Sequence, residues 1–269
     1  MGIAQRMGRG VARLRSRRER DPTGTMTLVE HLSELRSRLI NSILAVGAGS
    51  VIGWFLFQPV FDLLRHPYCT VIKAHPTLYP FGNPSNCALA YTSPIGPFVV
   101  KIKIVTFLGL AIALPVVLYQ VWRFITPGLT GRERRYAIPF VLTSVVLFLT
   151  GATIAYLLLP KALDFLLGFA GTSLVAVLDV STYVTFFMFM TLAFGVSFEF
   201  PMVLIALVMV GILNSQRLRK ARRGAIVGIA VFAVIITPTQ DWFTNLAIIV
   251  PLVIFYELSI LVARYVLKK

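Results

Sequence analysis

A single carboxylate, Glu199, stands in a stretch that carries no other charge from Ser181 to Asn214. In hydrocarbon such a side chain costs about 2.5–3.5 kcal/mol on insertion scales. Pro201 adds to the cost by freeing the carbonyl of Ser197 one turn back. Two chemistries answer it. Either Glu199 faces a protein-lined polar cavity and meets a group there, or it is a protonated or internally hydrogen-bonded carboxyl that stabilises a helix crossing. Two further acids sit among arginines. Glu34 lies four residues before Arg38, with Arg36 close by, at the spacing of a helix-stabilising pair that contributes a few tenths of a kcal/mol. Glu133 is the one carboxylate in a loop otherwise charged by Arg123, Arg132, Arg134 and Arg135.

Catalysis and nucleotide use find no support. The chain has no GxxxxGK[ST] phosphate loop and no HExxH. Two of its three histidines, His66 and His75, fall near Cys69 and Cys87, but loop histidines beside a cysteine pair are a weak metal site. The reading is a non-enzyme without metal or cofactor.

The elements that must position these acids are membrane spans. Apolar residues make up 57% of the 269 residues and mean hydropathy is +0.80, which indicates an all-α polytopic membrane protein with small loops. Of the 26 Lys and Arg, 21 fall before Leu39, in Arg123 to Arg135, in Arg217 to Arg223, or from Arg264 to Lys269. The positive-inside rule therefore puts both termini in the cytoplasm. That basic charge orients the chain and touches anionic lipid. Nucleic acid is a poor alternative without groove-reading elements. Cys69 and Cys87 both fall in the first external loop, where an oxidising compartment would let them pair as a disulfide. Closing the loop between them would contribute about 3 kcal/mol.

In chain order, residues 1–25 read as a disordered basic tail. Thr27-Leu28-Val29-Glu30 reads as a capping box, and Leu28, Leu32, Leu35 and Leu39 follow on one helical face. Six spans follow: Leu39 to Phe57, Phe98 to Trp122, Ala137 to Leu159 with Pro160 as its stop, the run around Glu199, Gly224 to Ile236, and Trp242 to Val262. A Pro- and Asn-rich external loop at about 58–97 separates the first two, and Trp122 reads as an interfacial anchor. The last two spans read as short. Thirteen residues make about 20 Å of helix against roughly 30 Å of hydrocarbon, so the fifth must thin the membrane or open a groove. Glu257, near the cytoplasmic end of the sixth, snorkels or pairs with Arg264.

Several segments together resemble the TatC family, the multispanning core of the twin-arginine protein translocase. They are His31-Leu32-Ser33-Glu34-Leu35-Arg36-Ser37-Arg38-Leu39, Tyr119-Gln120-Val121-Trp122-Arg123-Phe124 with Pro127-Gly128-Leu129, Glu133-Arg134-Arg135, Phe194 to Pro201, and Ile236-Thr237-Pro238. The resemblance covers a membrane domain at 26–264, in order, with residues 265–269 as a cytoplasmic tail. It implies export of folded proteins bearing a signal with paired arginines, recognised by Glu34 and Glu133 with Arg36, Phe124 and the Leu face in support. It also implies a concave groove lined by Glu199, with Thr237 and Asn245 as a polar cluster, where the single-span proteins TatA and TatB and other copies of the chain dock. Asn245 stands where many relatives have Gln, and Gln240-Asp241-Trp242 replaces a proline-richer turn. The Arg-rich extension and external cysteines resemble those of actinobacterial, cell-membrane members. A secondary transporter using Glu199 as an ion site is the competing reading, although the chain lacks matched, interrupted halves. A third is a scaffold that organises other membrane helices without touching substrate.

Overall fold

The computed structural model describes residues 28–74, 87–125, 137–168, 178–239 and 241–267. The basic tail, the side chains of the expected capping box, His75 and Glu133 lie outside the described residues. The chain divides into two units, Met1–Arg38 and Leu39–Lys269. Among the described residues the first unit contributes the opening turns of helix α1 (Leu28–Phe55). The second contains the rest of α1 and α2 (Phe57–Ala74), α3 (Gly96–Ile125), α4 (Ala137–Gly168), α5 (Val180–Phe198), α6 (Phe200–Met209), α7 (Ser215–Ile236) and α8 (Trp242–Leu261), which runs on as a π-helical turn, Val262–Val266.

Five stretches are long and apolar enough to cross a membrane: His31–Phe55, Gly96–Phe124, Ile138–Gly168, Val180–Met209 and Trp242–Val266. The chain is a membrane protein. The fifth expected span is a different object from the 13-residue helix read from sequence. Asn214 caps it, accepting the Arg217 N–H at 2.8 Å, so α7 is 22 residues long and its basic first half is helical too. Only its second half is apolar. The last span is not short, because it continues through Val266.

Pro160 does not stop α4, which carries on to Gly168. A proline removes one donor and kinks a helix, but packing on neighbours can hold the helix together across it. Leu158, Leu159, Ala162 and Leu163 around Pro160 are all buried. The external loop is not irregular throughout, since α2 fills Phe57–Ala74. Pro67 inside α2 lacks the N–H that the Leu63 carbonyl would receive. The Tyr156 hydroxyl donates to that carbonyl at 3.1 Å, and the Tyr183 hydroxyl donates to the next, Leu64, at 2.5 Å.

The core gathers on α5, the most buried of the five spans. Phe187 meets Phe107 of α3 and Tyr156 of α4 edge-on, and Phe198 meets Phe255 of α8 the same way at 5.2 Å. Two glycines set the approach of α1 to α3. A methyl added at Gly49 would lie 2.6 Å from the Gly109 carbonyl oxygen, and one at Gly109 would lie 2.1 Å from Ser50 Oγ. Trp122 is 1% exposed and stacks on Phe140, so it is a core residue and not an interfacial anchor. Lys101 and Lys103 are both engaged. Lys103 donates to Ser181 and Thr185 at 2.8 and 2.7 Å, and Lys101 lies 3.9 Å over the Trp54 ring. Glu257 pairs with Arg222 of α7 at 2.7 Å instead of with Arg264.

Candidate functional site

Glu199 occupies the break between α5 and α6. Pro201 cannot donate to the ladder, so the helix closes at Phe198 and restarts at Phe200, with Glu199 capping both pieces. Its N–H reaches the Val196 carbonyl at 3.1 Å, and its own carbonyl accepts from Met202 and Val203 at 2.9 and 3.1 Å. The side chain is half-buried. Its polar neighbour is the Ser144 hydroxyl of α4, which is 3% exposed, and its Oε1 is buried with no hydrogen-bond partner among the described residues. An unmet buried acceptor costs about 1–3 kcal/mol, more when charged. Three residues before and four after, Val196 and Val203 are 55% and 53% exposed. Helical spacing therefore puts a half-buried carboxyl on an uncovered apolar stripe.

Thr237 and Asn245 do come together. The Thr237 hydroxyl lies 2.8 Å from Asn245 Oδ1 and 2.7 Å from the Ala233 carbonyl, its one proton shared between the two acceptors, and Asn245 Nδ2 donates to the Asp241 carbonyl at 2.9 Å. Asp241 was not anticipated. It caps α8 by accepting the Thr244 N–H at 2.6 Å and takes the Thr239 hydroxyl at 2.5 Å. Burial alone would raise its carboxyl, but these hydrogen bonds outweigh burial and hold it below the usual carboxylate range. The signal was there to read, since Asp followed three residues on by Thr at a helix start is an N-cap pattern. The cluster is internally paired except for the buried Thr244 hydroxyl, which has no hydrogen-bond partner among the described residues, and no hydrogen bond joins it to Glu199 among those residues. Beside it, α7 buries only Leu218, Ile229 and Ala233, and leaves Val227, Val231 and Ile235 63%, 54% and 77% exposed.

Glu34 pairs with Arg38 as its spacing predicts, with Arg38 Nε and Nη2 both donating to Oε1. Its second oxygen, Oε2, is buried and has no partner among the described residues. The carboxylate is thus occupied on one side only. Arg36 is exposed, Leu32, Leu35 and Leu39 are 62%, 43% and 57% exposed, and Phe124 is half-buried at the end of α3.

No bond joins Cys69 to Cys87 in this structure. Cys69 is half-buried and Cys87 buried. Burial, together with a hydrogen bond to the Cys87 thiol, pushes the Cys69 thiol up to about 11. No group of three or more His, Cys, Asp or Glu positioned to hold a metal occurs among the described residues.

Residues 30–251 match the family model for TatC, the Sec-independent protein translocase protein. The TatC of Frankia casuarinae is 42% identical over 239 residues, which are 88% of this chain, and this chain spans 65% of that protein's length. The TatC of Aquifex aeolicus is 40% identical over 247 residues, 91% of this chain and 97% of that one. Among solved structures, the twin-arginine translocase receptor TatC in DDM superposes with a TM-score of 0.68 at 40% identity, covering 87% of this chain and 99% of that one. Similarity over nearly the whole chain, in sequence and in helical membrane fold, agrees with the family match, and this chain belongs to the TatC family of Sec-independent protein translocase proteins.

Proposed function

We propose that this chain is the signal-recognising core of a twin-arginine translocase, which binds paired-arginine signals of folded proteins and assembles with single-span partners to export them. The observation that carries the reading is the half-occupied Glu34 carboxylate. A buried oxygen without a donor favours an incoming cation, and a guanidinium brings to it a rigid fork of N–H donors that an ammonium lacks. Glu133, Arg36, Phe124 and the exposed Leu face complete the proposed signal site. The chain does no covalent chemistry in this reading.

Binding of a twin-arginine signal peptide to the purified full chain tests it. Glu34→Ala or Glu133→Ala abolishes photo-crosslinking of the peptide while insertion is unchanged, and a twin-lysine peptide crosslinks poorly. Equal crosslinking by both variants and by the wild type rules the assignment out.

Glu199 is proposed as the polar contact for a partner helix of the TatA or TatB kind within the bilayer. The uncovered stripe of Val196 and Val203 and the bare apolar face of α7 support it. Thr237 and Asn245 act there by holding the turn that shapes the α7 wall. Both termini are proposed to be cytoplasmic, in the cell membrane of a bacterium, with other copies of the chain and anionic lipid as further partners.

A further inference from the structure

A cavity of about 510 Å³ lies at the end of the bundle where α2 meets the start of α3. Phe57 and Phe61 of α2, Phe98 and Val100 of α3, and Leu89 line it, with two cations, Arg65 and Lys101. Everything named is within the unit Leu39–Lys269. The wall is mostly apolar, and the charged side chains on it are both cations, Arg65 and Lys101.

Neither cation is committed to a strong partner. Arg65 pairs with Asp62 at 3.2 Å, but both side chains are well exposed at 40% and 47%, and such a surface pair contributes little. Lys101 has no carboxylate partner among the described residues. Its ammonium rests on Trp54 at 3.9 Å, with Phe57 farther off at 5.5 Å, and these contacts leave its N–H donors able to meet an oxygen anion. Its neighbour Lys103 differs in being tied to two hydroxyls.

Depth then selects the ligand. The span Gly96–Phe124 has 29 residues, about 43 Å of helix, which matches a whole bilayer including headgroups. Lys101 is about 7 Å in from its end, at the boundary between headgroup and hydrocarbon. Trp54, Tyr91 and Phe98 are 45%, 63% and 63% exposed at the same end, as residues of an interfacial belt are. A transmembrane helix about 10 Å wide would fill the cavity with roughly one turn, so the space suits a chain and not a helix.

We infer that this cavity is a binding site for an anionic phospholipid, with the phosphate held between Arg65 and Lys101 and the start of an acyl chain on Phe57, Phe61 and Phe98. Glu199 is not among the residues that line it, and the site does not depend on signal recognition.

Native mass spectrometry of the delipidated full chain tests the site, titrated with phosphatidylglycerol and with phosphatidylcholine of the same chains. The wild type retains phosphatidylglycerol about tenfold or more tightly. Arg65→Gln with Lys101→Gln abolishes the preference, and Lys103→Gln keeps it. Phe61→Trp, which leaves both charges and fills the cavity, weakens retention of phosphatidylglycerol, so the inference does not hang on the stability of one variant. Equal retention of the two lipids by the wild type overturns it, as does a preference that survives in both the charge and the Phe61→Trp variants. Displacement of the lipid by millimolar inorganic phosphate would mark a soluble-anion site instead and also overturns it.

Discussion

Thr92 donates both its backbone N–H and its hydroxyl to Oδ2 of Asp179, each at 3.1 Å. The other oxygen of Asp179 caps α5 through the N–H groups of Ser181 and Thr182 at 2.9 and 3.2 Å. One carboxylate thus joins the segment before α3 to the start of the central helix, beside a single bridge between Ala90 and Asp179. Burial is the largest single influence and would raise its carboxyl, but the hydrogen bonds from Thr92, Thr182 and Ser181 together prevail and hold it below the usual Asp range. A depressed folded-state pKa means the stabilisation is complete above the unfolded value of about 3.9 and is lost as pH falls through the lower folded value. Asp179→Ala should lower stability by about 1–2 kcal/mol at neutral pH. Thermal unfolding in detergent should show that deficit shrinking below about pH 4; a gap that stays constant to pH 2.5 would contradict the carboxylate account.

Gly109→Ala should be among the most damaging single-methyl changes in the bundle. The added carbon would lie 2.1 Å from Ser50 Oγ and 2.7 Å from both Ser50 N and the Val46 carbonyl oxygen, and backbone cannot move aside as a flexible side chain does. A loss of about 1–3 kcal/mol is expected from overpacking. Gly47→Ala on α1, where nothing lies within 4 Å, serves as the control and should be neutral or mildly stabilising. Unfolding midpoints of the two variants in one detergent decide it.

Removing one half of the Thr237–Asn245 pair should cost more than removing both. Thr237→Val strands a buried amide oxygen, at about 1–3 kcal/mol, whereas Thr237→Val with Asn245→Leu leaves no orphan between them. A double-mutant cycle read by thermal unfolding measures the coupling, and strict additivity would mean that the pair is not a unit.

Glu199→Ala should leave twin-arginine peptide binding within about twofold of wild type, while co-purification of single-span partners falls about tenfold. Loss of peptide binding would mean that Glu199 belongs to the signal site. Solute uptake by liposomes holding only this chain, abolished by Glu199→Gln, would instead favour the ion-coupled transporter.

Five of the six expected spans and their order were legible because hydropathy and capping chemistry are local. The carbonyl freed by Pro201 was legible too, although the full break at Glu199 was not, since α4 runs on through Pro160. What could not be read was set by distant neighbours. Pro160 looked like a stop, yet α4 crosses it where the flanking leucines are buried. The polar residues around Arg217 hid the first half of α7, since periodicity was sought in apolar residues while the start is written in the Asn214 cap. Trp122 looked interfacial because only the partner ring, Phe140, reveals that it is buried. Ser144, the polar neighbour of Glu199, had no distinguishing context in its own stretch. The cysteine pair was proximate as expected, but spacing says nothing about burial.

The carbonyl of Leu63, denied its helical donor by Pro67 and met by the Tyr156 hydroxyl, makes two distant positions interdependent. Tyr156→Phe is harmful only while residue 67 is proline. With Pro67→Ala the helix supplies its own donor, and loss of the phenol should become nearly silent. The tolerance of one position to change is therefore written at the other, and a screen for suppressors of Tyr156→Phe should return to residue 67.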